Sequence, residues 1–155
     1  MRRVVLLLGV SAAIAACAPA DRTTQGDTAS AAGTVAVPEA ISLSAVAGKW
    51  TVKTMPEMSD SVVLTYELVA TADTTGWTIT FPGRPAIPLH VMPPMGDSIV
   101  AHAGPFESAL RKGVMVNSTS VVRLRDGKLI GTVLAKYLVT TADSIGRFRT
   151  EGTRM

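Results

Sequence analysis

From Trp50 onward the apolar residues of this 155-residue chain recur at every second position rather than every third or fourth. Successive side chains return to the same face with period two only in an extended strand, so this pattern demands β structure with one face turned to a core. Trp50 and Val52 alternate with Lys49, Thr51 and Lys53. Val62, Leu64, Tyr66 and Leu68 alternate with Val63, Thr65, Glu67 and Val69, and Trp77, Ile79 and Phe81 alternate with Thr78 and Thr80. Ile87, Leu89 and Val91 form a shorter run, and Pro88 within it predicts an edge or irregular strand, because proline cannot donate to a ladder. Residues 97–103, 129–139 and 145–153 supply further strands. The strongest local signal is Arg125-Asp126-Gly127-Lys128, since Asp-Gly suits a two-residue hairpin turn whose central positions both need positive φ. That turn sets Leu124 opposite Leu129 and Val122 opposite Gly131. It also brings Arg125 against Lys128, a like-charge pair that needs a carboxylate or ligand nearby. One short helix is expected between Gly104-Pro105-Phe106-Glu107, with proline in the first turn and an acid near the positive dipole end, and Leu110-Arg111-Lys112-Gly113, with basic residues and a glycine stop. The expected fold is all-β: a small antiparallel meander of about eight strands. Closure into an up-and-down barrel would remove its exposed edges, and an open sandwich is the alternative.

The N-terminal end reads differently. Arg2 and Arg3 precede an apolar stretch over residues 4–10, and small residues follow as far as Ala16. This is the charged, apolar and small-residue order of a secretory signal, with an apolar run short of the ~30 Å of membrane hydrocarbon. Ile14-Ala15-Ala16-Cys17 resembles the lipobox of bacterial lipoproteins. The resemblance implies diacylglycerol on the Cys17 sulfur, cleavage after Ala16 and acylation of the new amine, and Ala18 resembles the default outer-membrane address. A signal cut nearby without lipidation, or an uncleaved membrane helix, are the other readings of these residues. Cys17 is the single cysteine, so it has no internal disulfide partner. Residues 1–16 are thus expected to be a signal peptide. Residues 17–40, rich in Ala, Thr, Ser and Gly and without an aromatic residue, are expected to form a flexible tether after the lipidated cysteine. Residues 41–155 are expected to form the domain.

Gly48-Lys49-Trp50, placed after the tether and at the head of the meander, is similar to the Gly-x-Trp motif of lipocalins. The resemblance implies that Trp50 plugs the closed end of a barrel and that a late arginine packs over its ring; Arg147, Arg149 and Arg154 are available. No counterpart of the family's Thr-Asp-Tyr motif is found, and no long helical pattern follows the last strand. The expectation is therefore a lipocalin-like barrel in which Tyr66, Leu68, Trp77, Ile79 and Phe81 line either a ligand cavity or a solid core.

The composition bounds the function. Hydrophobic residues make up 47% and charged residues 17% of the chain, enough apolar side chain for a packed core. The formal charge of +3 gives no case for nucleic acid, because without Arg2 and Arg3 the chain has 13 basic against 12 acidic side chains. No Gly-x-Ser-x-Gly elbow occurs, and the carboxylates Glu57, Asp60, Glu67, Asp97 and Glu107 fall in separate runs, so no catalytic residue and no cofactor is expected. His90, Met92 and Met95 would suit Cu(I), as soft thioethers with imidazole do. They lack a third convergent ligand, and no carboxylate flanks His90 to orient its ring, so no metal is expected and the methionines are assigned to loop packing. The last third is basic: Arg123 with Arg125 and Arg147 with Arg149 share strand faces, a solvated wall or a surface for anionic groups. The expected function is a non-enzymatic cell-envelope lipoprotein, facing the periplasm from the outer membrane and holding a small apolar ligand in its barrel. The alternative is a protein-interaction module of the envelope, an assembly factor or a barrel-type protease inhibitor. Cys17→Ala should leave the chain unacylated and either soluble or stalled in processing. Fractionation with mass spectrometry checks this, and a mutant that is still acylated and membrane-bound would contradict it.

Overall fold

A computed structural model describes residues 40–155. The expectations for Ile14, Ala15, Ala16, Cys17, the signal and nearly all of the tether lie outside the described residues. One short helix, α1 (Leu43–Val46), precedes nine strands: β1 (Gly48–Pro56), β2 (Leu64–Ala70), β3 (Thr78–Thr80), β4 (Ile87–Pro88), β5 (His90–Val91), β6 (Ile99–Glu107), β7 (Met115–Arg125), β8 (Lys128–Tyr137) and β9 (Ile145–Arg154). They form a single antiparallel sheet in the order β4-β3-β2-β1-β9-β8-β7-β6-β5. Each strand pairs with its neighbour in sequence except where β1 meets β9, which joins the two ends of the domain from Trp50↔Arg154 to Pro56↔Phe148.

The two edge strands, β4 and β5, are separated by Leu89 alone. One short stretch of chain therefore serves both edges. Ile87 and Pro88 pair with β3, the Leu89 amide donates to the Trp77 carbonyl, and His90 and Val91 pair with β6. The sheet is thus nearly closed into a barrel, and Pro88, with no amide hydrogen, sits on an edge as its chemistry requires. Counted as one kinked strand, residues 87–91 reduce the nine elements to the expected eight.

The hairpin lies where Asp-Gly predicts. Asp126 and Gly127 have φ of 51° and 75°, and Leu124↔Leu129, Val122↔Gly131 and Arg125↔Lys128 are in register. The like-charge pair is relieved from both sides. Asp97 bonds Arg123 at 3.2 Å and also Arg125, while Lys128 Nζ lies 2.7 Å from Glu151 Oε1. Hydrogen bonds to Asp97 from Ser98, and then from the two arginines, hold its carboxyl below the usual range.

Several expectations need correction. The helix between Gly104 and Gly113 does not form. Strand β6 runs through Gly104 and Pro105 to Glu107, with a register shift between Ala103 and Phe106. Gly104 adopts a φ of 121°, which is not helical, and a Cβ there would lie 2.7 Å from the Val116 carbonyl. Phe106 pairs with Val116 and Glu107 with Met115, and an isolated helical turn is only marginally stable, so tertiary pairing overrides the local signals. Those signals cap a single tight turn instead: Ser108 Oγ accepts from the Leu110 and Arg111 amides, and the Glu107 carboxylate accepts from the Gly113 amide. Second, the run at Val62 enters its strand only at Leu64; Val62 and Val63 are exposed. Third, the strand expected from Asp97 begins at Ile99, because Asp97 and Ser98 lie in the turn closed by the Met95–Ser98 bridge, and the strand expected to reach Val139 ends at Tyr137.

The helix that does form, α1, starts at Ser42, whose Oγ accepts from the Ala45 amide as an N-cap. It brings Val46 beneath the barrel. There Trp50, fully buried, donates its indole N–H to the Val46 carbonyl at 2.8 Å. The Arg154 guanidinium lies 4.4 Å from the indole ring centre and donates to the Ala45 and Ala47 carbonyls. Gly48 is required at this junction: its φ is 134°, and a Cβ would stand 2.7 Å from Arg154 Nη1. Arg149, another of the three arginines considered, is bound instead to Asp60 and the Ser59 carbonyl. Trp50→Ala should cost ~3–5 kcal/mol as a buried large-to-small change. Urea unfolding reads the loss, and a cost below ~1 kcal/mol would contradict a sealing role.

Candidate functional site: an apolar cavity inside the barrel

Inward-facing side chains grade from large to small along the barrel. At the Trp50 end the interior is filled by Trp50, Val46, Trp77, Ile99 and Leu129. At mid-height the walls carry Ala101, Ser118, Ser120 and Thr54, too short to meet across the lumen. Toward the other end a second apolar cluster forms from Val116, Ala135 and Tyr137, with Val114, Val139 and Phe148 packed on it. Phe106 touches both clusters. Among these side chains lies a cavity of about 90 Å³. At ~30 Å³ per liquid water this is the space of a few water molecules, suited to a slender chain or small ring rather than a broad polycyclic ligand.

Tyr66, Leu68, Trp77, Ile79 and Phe81, expected to line either a cavity or a solid core, all border this space, and Leu68, Trp77, Ile79 and Phe81 belong to the buried core as well. Tyr66 meets Phe81 edge-on with ring centres 5.4 Å apart, and Phe81 lies 5.8 Å from Phe106, so one wall is a continuous aromatic surface. Trp77 lies just outside β3 and is held from below by its indole N–H, which donates to the Asp73 carbonyl at 2.8 Å. The Asp73 carboxylate accepts from the Thr75 hydroxyl and amide, which fixes that loop and holds the carboxyl below its usual range. Burial pushes the Tyr66 phenol well above the ordinary tyrosine range. Its neutral hydroxyl, with those of Thr54, Ser108, Ser118, Ser120 and Tyr137, supplies the polar groups among the lining residues.

The end of the barrel opposite Trp50 is bordered by the loops between β1 and β2, β3 and β4, β6 and β7, and β8 and β9. Two arginines brace it. Arg84 donates to the Glu107 and Ser108 carbonyls, and Arg111 donates to the Asp143 carbonyl while its guanidinium lies 4.0 Å from the Tyr137 ring centre. Their partners are backbone carbonyls and a ring face, so both guanidinium groups tie neighbouring loops together. Neither arginine was singled out for this place by the sequence, because the loops that carry them have no period.

The remaining sequence candidates fall elsewhere. Gly48 and Trp50 form the sealed end. His90 lies exposed on the outer wall in β5, and Met92 and Met95 are 41% and 76% exposed. The nearest histidine to His90 in the sheet is His102, directly opposite on β6. Among the described residues no three His, Cys, Asp or Glu side chains are gathered as a metal cluster.

Comparison of the chain with protein-family models, curated proteins and solved structures finds no match. Ser120→Leu, entering the cavity, should change stability by less than ~1.5 kcal/mol, whereas Ala70→Leu at the packed end should cost ~1–3 kcal/mol by overcrowding. Urea unfolding of the two variants distinguishes them, and an equal loss in both would mean that the interior is solid.

Proposed function

We propose that this domain is a carrier: it holds a slender, largely apolar molecule in the barrel cavity and presents it at the bacterial cell envelope, tethered by lipid on Cys17. The observation that carries this reading is the cavity itself, walled by aromatic and aliphatic side chains with a few hydroxyl-bearing residues among them. Ligand sites in small barrels have this character, with many apolar contacts and a few groups that orient. The sealed Trp50 end and the arginine-braced opposite end support entry from the latter. The role is non-enzymatic, because the cavity lining offers contact and orientation but no paired acid and base. The lipobox resemblance at Ile14-Ala15-Ala16-Cys17, followed by Ala18, supports a place at the outer membrane facing the periplasm.

The second reading, an envelope protein-interaction module, draws on one feature. Ile130, Leu134 and Ile145 stand exposed on β8 and β9, on the outside of the barrel. The carrier reading is preferred because these residues are interspersed with Arg147, Arg149 and Lys136 rather than gathered into one apolar patch.

Tryptophan fluorescence separates the two. Trp77 lines the cavity and Trp50 is outside it, so titration with butanol or benzene, small enough for the space, should change the emission of the native chain and not that of Trp77→Phe. Ser120→Phe, which fills the space, should abolish the response. No response, or one that survives Ser120→Phe, would refute the carrier.

A further inference from the structure

The two histidines of the chain are far apart in sequence and adjacent in the sheet. His90 and His102 are direct cross-strand partners on β5 and β6, both exposed on the outer wall, away from the cavity. Directly opposed residues of an antiparallel pair share a face, with Cβ atoms ~4.5–5.5 Å apart. Two imidazole nitrogens bound to one ion at ~2.0–2.1 Å stand about 3 Å apart, a separation this backbone spacing permits by side-chain rotation alone. The ring of His102 is already held: its Nδ1 lies 3.0 Å from the Thr119 hydroxyl on β7. When Nδ1 carries the proton and donates it there, the Nε2 lone pair is left free, which is the metal-ready tautomer. Both rings border one surface groove, together with Asn117, and the groove opens beside Pro88 and Leu89, where the sheet passes from one edge to the other.

We propose that His90 and His102 form a two-imidazole site for a divalent ion of the zinc and copper class. Imidazole is a borderline ligand that suits these ions, and it fits calcium or magnesium poorly. Water, or the oxygen of a further ligand, completes the coordination, so the site is open. It differs from the soft Cu(I) arrangement considered from sequence: the partner of His90 is His102 across the strand pair, and Met92 and Met95 do not border the groove. Bound metal would link the two-residue strand β5 to β6 at the point where barrel closure rests on the shortest pairings. The site is independent of the carrier reading.

The test is calorimetric titration of the untagged full-length chain with Zn²⁺ at neutral pH. One ion should bind per chain. His90→Gln and His102→Gln should each weaken binding at least tenfold, and both variants should fold, since both side chains are exposed. Thr119→Ala should weaken binding about tenfold through the lost orienting hydrogen bond. No binding heat, binding that persists in the doubly substituted chain, or a stoichiometry of one ion per two chains would overturn the proposal.

Discussion

The stack of Arg154 on Trp50 closes this fold. It joins the first strand to the last at Trp50↔Arg154, and Arg154 reaches across to the Ala45 and Ala47 carbonyls at the end of α1. An indole buries ~150–250 Å² on its own, and an exposed cation such as Arg154 over its face adds ~0.5–1 kcal/mol, so burial is the larger effect and the arginine mainly sets position. That positioning matters because a strand's faces alternate. A one-residue slip between β1 and β9 would turn Trp50, Val52 and Thr54 outward together. Three constraints oppose the slip: the indole bond to Val46, the guanidinium over the ring, and the absence of a side chain at Gly48.

With one end sealed, the rest of the interior follows from side-chain size. Large residues crowd the Trp50 end, and the middle of the barrel is walled on β6 and β7 by Ala101, Ser118 and Ser120. Aromatic rings on the facing wall do not fill the gap. Phe106 spans the two apolar clusters because β6 bulges before it, and the bulge at Gly104 and Pro105 aims that ring inward. The same irregularity that prevents a helix thus shapes the cavity wall. On the outer surface, charge is compensated pair by pair at Asp97, Glu151 and Asp60, while Arg84 and Arg111 are spent on backbone carbonyls that brace the loops near the open end.

What could be read from the sequence was whatever depends on strand periodicity and local turn chemistry. Alternation placed Tyr66, Leu68, Ile79 and Phe81 on the inner face, and Asp126-Gly127 determined the register of β7 and β8 to the residue. Short motifs at the ends, Gly48-Lys49-Trp50 with a late arginine, gave the sealed end. Other features stayed hidden, each for its own physical reason. The 104–113 segment carried genuine helix signals, but they are outweighed by pairing with β7, which no local window contains. The helix α1 is four residues long, below the length at which a periodic stripe can be seen. His90 and His102 became neighbours only once the short strand β5 was assigned to β6, and Pro88 obscured that strand. The cavity was equally unreadable, because whether inward-facing residues meet depends on barrel diameter and not on their identity.

The barrel is sealed at Trp50 and open inside beyond it, and diffraction from a crystal pressurised with xenon distinguishes the two ends, since xenon enters apolar cavities and not packed cores. A single internal xenon peak is expected beside Tyr66, Phe81 and Ala101, with none around Trp50. An interior without xenon, or a peak lodged beneath Arg154 at the Trp50 end, would contradict it.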